Sequence, residues 1–416
     1  MNESTVQLKE TKPLPEGWQW VRLGDVCMIN PSRPNGFTRL LDAPTTFVPM
    51  AAVDGNLGVI SKPGSRSYSE VSTGYTYFGE ADVLFAKITP CMQNGKHAIA
   101  RNLLDGVGFG STEFHVIRPS VLILPEWIHF FIRQPFFLQE AASYFVGAVG
   151  QQRVPESFLA NYGIPLPPLP EQRHIAAKVQ ELMKDVERAR AACETQLESA
   201  KALPQAYLRQ VFESEEAKKW ERRRLGELFD VQQGVAMSPE RREGRTPYPF
   251  LRTLNVLWGC VDLSMLDKMD FTDEEVSKLS LKPGDLLVCE GGEVGRTAIW
   301  RGEMDTCLYQ NHIHRLRKLN DTIVPQFYMY WMQAAFQVFG SYSGEESKTT
   351  IPNLSGNRLK SFMFPLPPTE EQKRIAAEFK DQMAGVEKLK ASIEKELEGI
   401  NTLPQAILRK AFRGEL

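Results

Sequence analysis

Residues 165–177 read PLPPLPEQRHIAA, and 200 positions later residues 365–377 read PLPPTEEQKRIAA, identical at nine of thirteen positions. The echo continues to LPQAYLRQVF (203–212) and LPQAILRKAF (403–412), identical at seven of ten. A chain of 416 residues that returns to one helical element at half its length is a tandem duplication. Two similar halves imply a pseudo-twofold axis. Such symmetry suits a twofold partner, and duplex DNA is one.

Both halves carry the same order of parts. Trp20-Val21-Arg22-Leu23-Gly24-Asp25 opens the first, and Trp220 followed by Arg224-Leu225-Gly226-Glu227 opens the second. Stretches rich in β-branched and aromatic residues follow, punctuated by Gly and Pro, as in 46–60 and 249–263; they predict short strands and turns. GEADVLFAKI (79–88) and PGDLLVCEGG (283–292) each predict a Gly-acid turn into a strand, and WIHFFIRQPFFLQE (127–140) and QFYMYWMQAAFQVF (326–339) predict aromatic helical patches. PLPP is then a stiff connector, because proline fixes its own φ and restricts the preceding residue.

The helices after PLPP give the clearest periodicity. Ile175, Val179, Leu182, Val186, Ala189, Cys193, Ala200 and Leu203 are spaced by fours and threes, with Gln196 in a core slot. Ile375, Phe379, Val386, Leu389, Ile393, Ile400 and Leu403 fill the same register, with Gln382 and Glu396 in core slots. Four heptads with charged flanks predict a coiled coil. Two copies in matching register predict that the helices pair with each other, through an interface that uses Ile175, Val179, Leu182 and Val186 of one helix and Ile375, Phe379, Val386 and Leu389 of the other. Pro204 and Pro404 are expected to break each helix before a short final segment. Antiparallel pairing would put the domains at opposite ends of a rod. A helix over 171–202 is ~48 Å long, a little more than the ~34–36 Å of one DNA turn.

Length predicts two to four domains with real cores. Forty-nine Lys and Arg against 51 Asp and Glu leave a net charge of −2, which is not the footprint of a protein that coats nucleic acid indiscriminately. The six cysteines form no CxxC pair, so reduced thiols are expected rather than a metal site. The polar MNESTVQLKE start and the lack of a long apolar run disfavour export and membrane spanning, so the expected compartment is the cytoplasm.

Taken in order and spacing, these motifs resemble the specificity subunit of a type I restriction-modification system across essentially the whole chain. The segments that carry the likeness are the two PLPP…IAA segments, the LPQA-(Y/I)-LR endings and the Trp…Arg-Leu-Gly-acid openings, joined by NPSRP (30–34) and GGEVGRTAIW (291–300). The resemblance implies an α+β fold: two tandem β-rich α/β target-recognition domains (1–164 and 215–364) and two helical spacer regions (165–214 and 365–416) that form an antiparallel coiled coil. It further implies that each domain reads half of a split double-stranded DNA target while the helices set the gap and dock two methyltransferase subunits. Those subunits bind S-adenosylmethionine; motor-nuclease subunits using ATP and Mg join for cleavage. No cofactor or metal is expected on this chain itself.

The residues carry no convincing catalytic constellation. A DNA-adenine methyltransferase needs a polar-Pro-Pro-aromatic motif, and Asn30-Pro31-Ser32-Arg33 offers one proline and no aromatic. Residues 291–297 are one residue short of a phosphate loop, with Arg296 where Lys is required. His312 and His314 lack a third ligand and read as strand residues. Asp82 and Lys87 want a second carboxylate for a nuclease.

DNA contacts are instead expected from polar and basic loops. The first half offers Lys87, Gln93, Asn94, Lys96, Thr112, Gln151, Gln152 and Arg153; the second offers Arg296, Gln310, Asn311, Lys348, Thr349 and Thr350. Residues 151–153 and 348–350 each precede a Val-Pro or Ile-Pro and are expected to be equivalent. The halves match in their helices and diverge in these loops, so the expected target is asymmetric. A coiled-coil adaptor whose β-rich domains bind proteins is the alternative, favoured slightly by the neutral net charge.

Overall fold

The computed structural model describes residues 14–148, 151–244, 247–340 and 354–416. The chain forms two compact units, one of Met1–Ala192 with Glu396–Leu416, the other of Cys193–Lys395. The end of the chain therefore belongs with its beginning.

In the first unit a four-stranded antiparallel sheet runs in the order Cys27–Ile29, Phe114–Pro119, Val83–Ala86, His97–Ile99. The strand Val83–Ala86 is apolar on both faces because each face meets a core. Alternation sends Val83 and Phe85 into one core and Leu84 and Ala86 into another. The second unit repeats this design in the order Phe229–Gln233, Ile313–Lys318, Leu286–Cys289, Thr297–Ile299. Leu286 and Val288 enter one core there, and Leu287 and Cys289 the other.

A second sheet lies beyond the inner core of each unit. The first has the order Gly64–Ser67, Pro44–Val48, Val107–Gly110, Thr76–Gly79, its middle pair parallel. Among the described residues the second unit keeps three strands of this pattern, Asp267–Asp270, Pro247–Leu251 and Leu308–Tyr309, again with one parallel pair.

Short ribbons close each unit, Gln19–Arg22 against Gly163–Leu166 and Glu221–Arg224 against Met363–Leu366. These registers correct the expected alignment of the openings. The residue immediately before the first ribbon is Trp18, so Trp18, not Trp20, is the counterpart of Trp220. Trp18 is the buried one, packed edge-on against Trp127 at 5.5 Å and donating to Glu171 Oε1 at 3.0 Å. Tryptophans two apart on an extended strand share one face, so spacing alone cannot separate them.

The long helices span Leu169–Phe212 and Thr369–Ala411. The repeated Gln explains part of the echo. Gln172 is buried; its Oε1 accepts from Leu124 N–H at 2.9 Å and its Nε2 donates to Pro167 O at 2.9 Å. Gln372 makes the same pair with Val324 N–H and Pro367 O, both at 2.9 Å. Each amide thus ties a helix start to its own domain. In the first unit Ile175 and Val179 share a core with Leu408 and Ala411; in the second Ile375 and Phe379 share one with Leu208 and Phe212. Inside each unit the start of one helix packs with the end of the other.

Two expectations for the helices are corrected. Both run through Pro204 and Pro404 without a break. A helix-interior proline costs ~3 kcal/mol, but burying Leu208 and Phe212 beyond it returns about 3–6 kcal/mol. The buried stripe also passes beside the polar slots. Gln196 and Glu396 are exposed, and Leu197 and Leu397 turn partly inward instead, since an unpaired buried amide or carboxylate is costly. Leu389 is 44% exposed, whereas Val186, Cys193, Ala200, Val386, Ile393 and Ile400 are buried. Among the described residues no helix is long and apolar enough to cross a membrane.

Candidate nucleic-acid interface

In the first unit three loop segments converge where the strand Val83–Ala86 ends. Lys87 N–H donates to Glu113 O at 2.9 Å, and Lys87 O accepts from Val154 N–H at 2.9 Å. Thr89 N–H donates to Gln152 O at 3.0 Å, and Thr89 Oγ1 donates to Gln93 Oε1 at 2.8 Å. The backbone thus assembles 87–97, 110–113 and 151–154 into one cluster. Gly95 turns the first loop at φ +69°, and a Cβ there would come within 2.9 Å of Gly55 O.

The expected contact residues divide by what their side chains already do. Gln93, Asn94, Thr112 and Gln151 are exposed, and Lys87 and Gln152 are half-buried. Arg153 is engaged: Nε and Nη2 donate to Glu113 Oε2 and Oε1 at 2.8 and 2.7 Å, and Nη1 donates to Gln151 O at 2.8 Å. The Arg153 guanidinium holds the Glu113 carboxyl below the usual carboxylate range, so it stays ionised. Lys96 turns away from the cluster and donates from Nζ to Met50 O and Val53 O at 3.3 and 2.9 Å. Its ammonium is thereby engaged with the turn at Met50 and Val53.

Beneath the cluster lies His115. Its Nε2 is 2.8 Å from Val154 O, and its Nδ1 is 3.0 Å from Asn30 Nδ2. Burial pushes this imidazole below its ordinary range, so the neutral ring donates to the carbonyl. Asn30, at φ 50°, also donates to Glu156 Oε2 at 2.7 Å.

The second unit repeats the framework with different side chains. Glu290 N–H donates to His312 O at 2.9 Å, and Glu290 O accepts from Leu354 N–H at 3.0 Å. His314 Nε2 lies 2.9 Å from Leu354 O, and burial lowers this imidazole too. The matched bonds make Glu290 the counterpart of Lys87, His312 of Glu113, His314 of His115 and Leu354 of Val154. This corrects the expected alignment of the Val-Pro and Ile-Pro steps, because the counterpart of Val154 is Leu354. Lys348, Thr349 and Thr350 lie outside the described residues.

The remaining second-half candidates are drawn inward. Gln310 is only 4% exposed. Arg296 donates to Thr253 O through Nη2 and sits 3.4 Å from Glu293 through Nη1. The Arg296 side chain is thus engaged within its own unit, and that of Gln310 is buried. Asn311 is half-buried, and its carbonyl accepts from Gln233 Nε2 at 2.8 Å.

A further matched pair escaped the sequence reading. Asp82 is bound by Arg118 Nε and Nη2 at 2.8 and 2.6 Å and by Gly79 N–H at 2.7 Å. Asp285 is bound by Arg317 at 2.8 and 2.6 Å and by Lys282 N–H at 2.7 Å. The shared Gly-acid turn was the available signal; the arginines follow His115 and His314 by the same interval. Among the described residues no group of three or more His, Cys, Asp or Glu could hold a metal ion.

Chemically, the first cluster offers amide, hydroxyl, ammonium and carboxylate groups at one loop edge, the types that read base edges in the major groove. Residues 15–193 and 217–399 match the type I restriction modification DNA specificity domain, and the chain belongs to that family. It is 34% identical over 232 residues to the type I restriction enzyme EcoEI specificity subunit of Escherichia coli, covering 54% of this chain and 38% of the relative. The chain therefore spans well under half the length of that curated relative. Its fold resembles that of the HsdS subunit from Thermoanaerobacter tengcongensis, with a TM-score of 0.72, 27% identity and coverage of 98% of this chain and 99% of the other. A chain from a structure of type I R-M system complex assembly and conformational transition gives a TM-score of 0.75, at 27% identity, covering 97% and 100%.

Proposed function

We propose that this chain is the DNA sequence-specificity subunit of a type I restriction-modification enzyme. Each half reads one part of a bipartite double-stranded target through its loop cluster, in domains 1–164 and 215–364. The single observation that carries this reading is the matched framework with unmatched chemistry. Equivalent backbone bonds place Lys87 and Glu113 at this edge in the first unit and exposed His312 in the second, where Glu290, the counterpart of Lys87, is buried and accepts from Gln233 Nε2 at 2.8 Å. Two readers on one scaffold with different charges at equivalent places suit an asymmetric target.

The regions 165–214 and 365–416 act as spacer and docking surface, their helices paired as an antiparallel coiled coil. The cores shared by the start of one helix and the end of the other support that pairing. Catalysis belongs to partners in the cytoplasm: two methyltransferase subunits that bind S-adenosylmethionine, and motor-nuclease subunits that use ATP and Mg.

Methylation-sensitive sequencing of the host genome, with and without the gene for this chain, tests the reading. A split, asymmetric methylated motif that disappears with the gene is expected. A gel shift of the chain with its methyltransferase partner should discriminate genomic from random-sequence DNA. Lack of any sequence preference at moderate salt would favour the protein adaptor.

A further inference from the structure

The ion pair between Glu113 and Arg153 is not required by the fold. The second unit makes the same backbone bond, Glu290 N–H to His312 O at 2.9 Å against Lys87 N–H to Glu113 O at 2.9 Å, with His312 in place of the carboxylate. Nor is the pair sealed in a core: 41% of the Arg153 side chain and 24% of the Glu113 side chain are exposed. A pair so open to water contributes little stability. The guanidinium has a second anchor, since Nη1 donates to Gln151 O at 2.8 Å, and the main chain beneath it exchanges bonds with Val146 at 2.9 and 3.0 Å. Lys87 adds a second positive charge near the same carboxylate.

We propose that Glu113 is a specificity-determining residue of the first unit, which withholds the Arg153 guanidinium from the phosphates of non-target DNA. The proposal rests on the DNA-reading function above. Without Glu113 the cluster would present two cations, Lys87 and Arg153, to any duplex that passed. Phosphate attraction is independent of sequence and grows with the number of cations offered. With Glu113 the cluster carries one net positive charge, and its bidentate hold must be exchanged for an equally good pair of acceptors. The O6 and N7 edge of guanine supplies such a pair in the major groove. The carboxylate thereby lowers background binding more than target binding. The overall net charge of −2 fits a protein that avoids indiscriminate attraction to DNA.

The test uses the full chain assembled with its methyltransferase partner, on a duplex bearing the genomic target and on a random-sequence duplex. Glu113→Gln keeps the shape and removes the charge. Its affinity for random DNA should rise about three- to tenfold at low salt, its log–log salt slope should steepen by about one, and the ratio of target to random binding should fall. Glu113→His, which installs the second unit's own residue at this place, should do the same above pH 8. Adding Arg153→Ala to Glu113→Gln should return random-DNA binding to the starting level. Unchanged or weaker random-DNA binding in both single variants, with target preference intact, overturns the proposal while the function stands. A complex with no target preference before any substitution overturns both.

Discussion

The ring of Phe412 lies 4.4 Å from that of Trp127 and 5.3 Å from that of Phe131, so the end of the second long helix completes the core of the first domain. Phe212 plays the corresponding part in the second domain, 5.6 Å from Phe327 and 5.2 Å from Trp331. Each domain is thus closed by the end of one long helix and opened into by the start of the other.

Phe412→Ala should therefore destabilise the first unit although it alters the far end of the chain. Truncating this half-buried ring is expected to cost about 2–3 kcal/mol, less than the roughly 3–5 kcal/mol of a fully buried Phe→Ala. Urea unfolding followed by hydrogen exchange checks this: protection should fall in the strands 83–86 and 114–119 and persist in 286–289 and 313–318.

Acid should weaken the first unit through two buried histidines. Burial, aided by the positive charge of Arg133, pushes His97 and His129 down to about 3, with His129 Nε2 3.1 Å from His97 O. In the unfolded chain both take up protons below about 6.5. Between these values the unfolded state holds more protons, so stability falls as pH drops from about 6.5 towards 3. Urea midpoints measured across that window should fall less steeply for His129→Gln than for the parent chain.

The exposed amides of the first cluster should govern only one half of the target. Replacing Gln93 and Asn94 by Ala should relax base preference at positions within a single half-site by about tenfold, the scale of one lost base contact. Sequencing the methylated sites of cells carrying this variant reads the effect directly. Relaxation in both halves would contradict separate readers.

The helices were legible because their apolar spacing answers to a local rule, whereas the role of Gln172 and Gln372 depends on Leu124 and Val324, distant in sequence. Their finer register was not. Gln196 and Leu197 sit on neighbouring positions of one stripe, and only packing decides which turns inward. The continuity past Pro204 and Pro404 likewise depends on Leu208, Phe212 and Leu408 finding tertiary partners that no local pattern names. In the loops, Gln93, Asn94 and Thr112 could be picked out as polar residues after a strand. Lys96 and Arg296 are polar loop residues too, but their side chains donate to the carbonyls of Met50, Val53 and Thr253, and Gln310 is buried, all of which depends on contacts distant in sequence. The equivalence of Val154 and Leu354 rests on their matched backbone bonds to Lys87 and Glu290, which no local sequence pattern names.

The spacer role of the helices is tested most directly by inserting one heptad into each, between Val186 and Cys193 and between Val386 and Ile393, and mapping the methylated motif. An extra heptad lengthens each helix by ~10.5 Å, or about three base pairs. Both half-site sequences should be retained, with an unspecified gap about three base pairs longer. Retained half-sites with an unchanged gap would contradict the account.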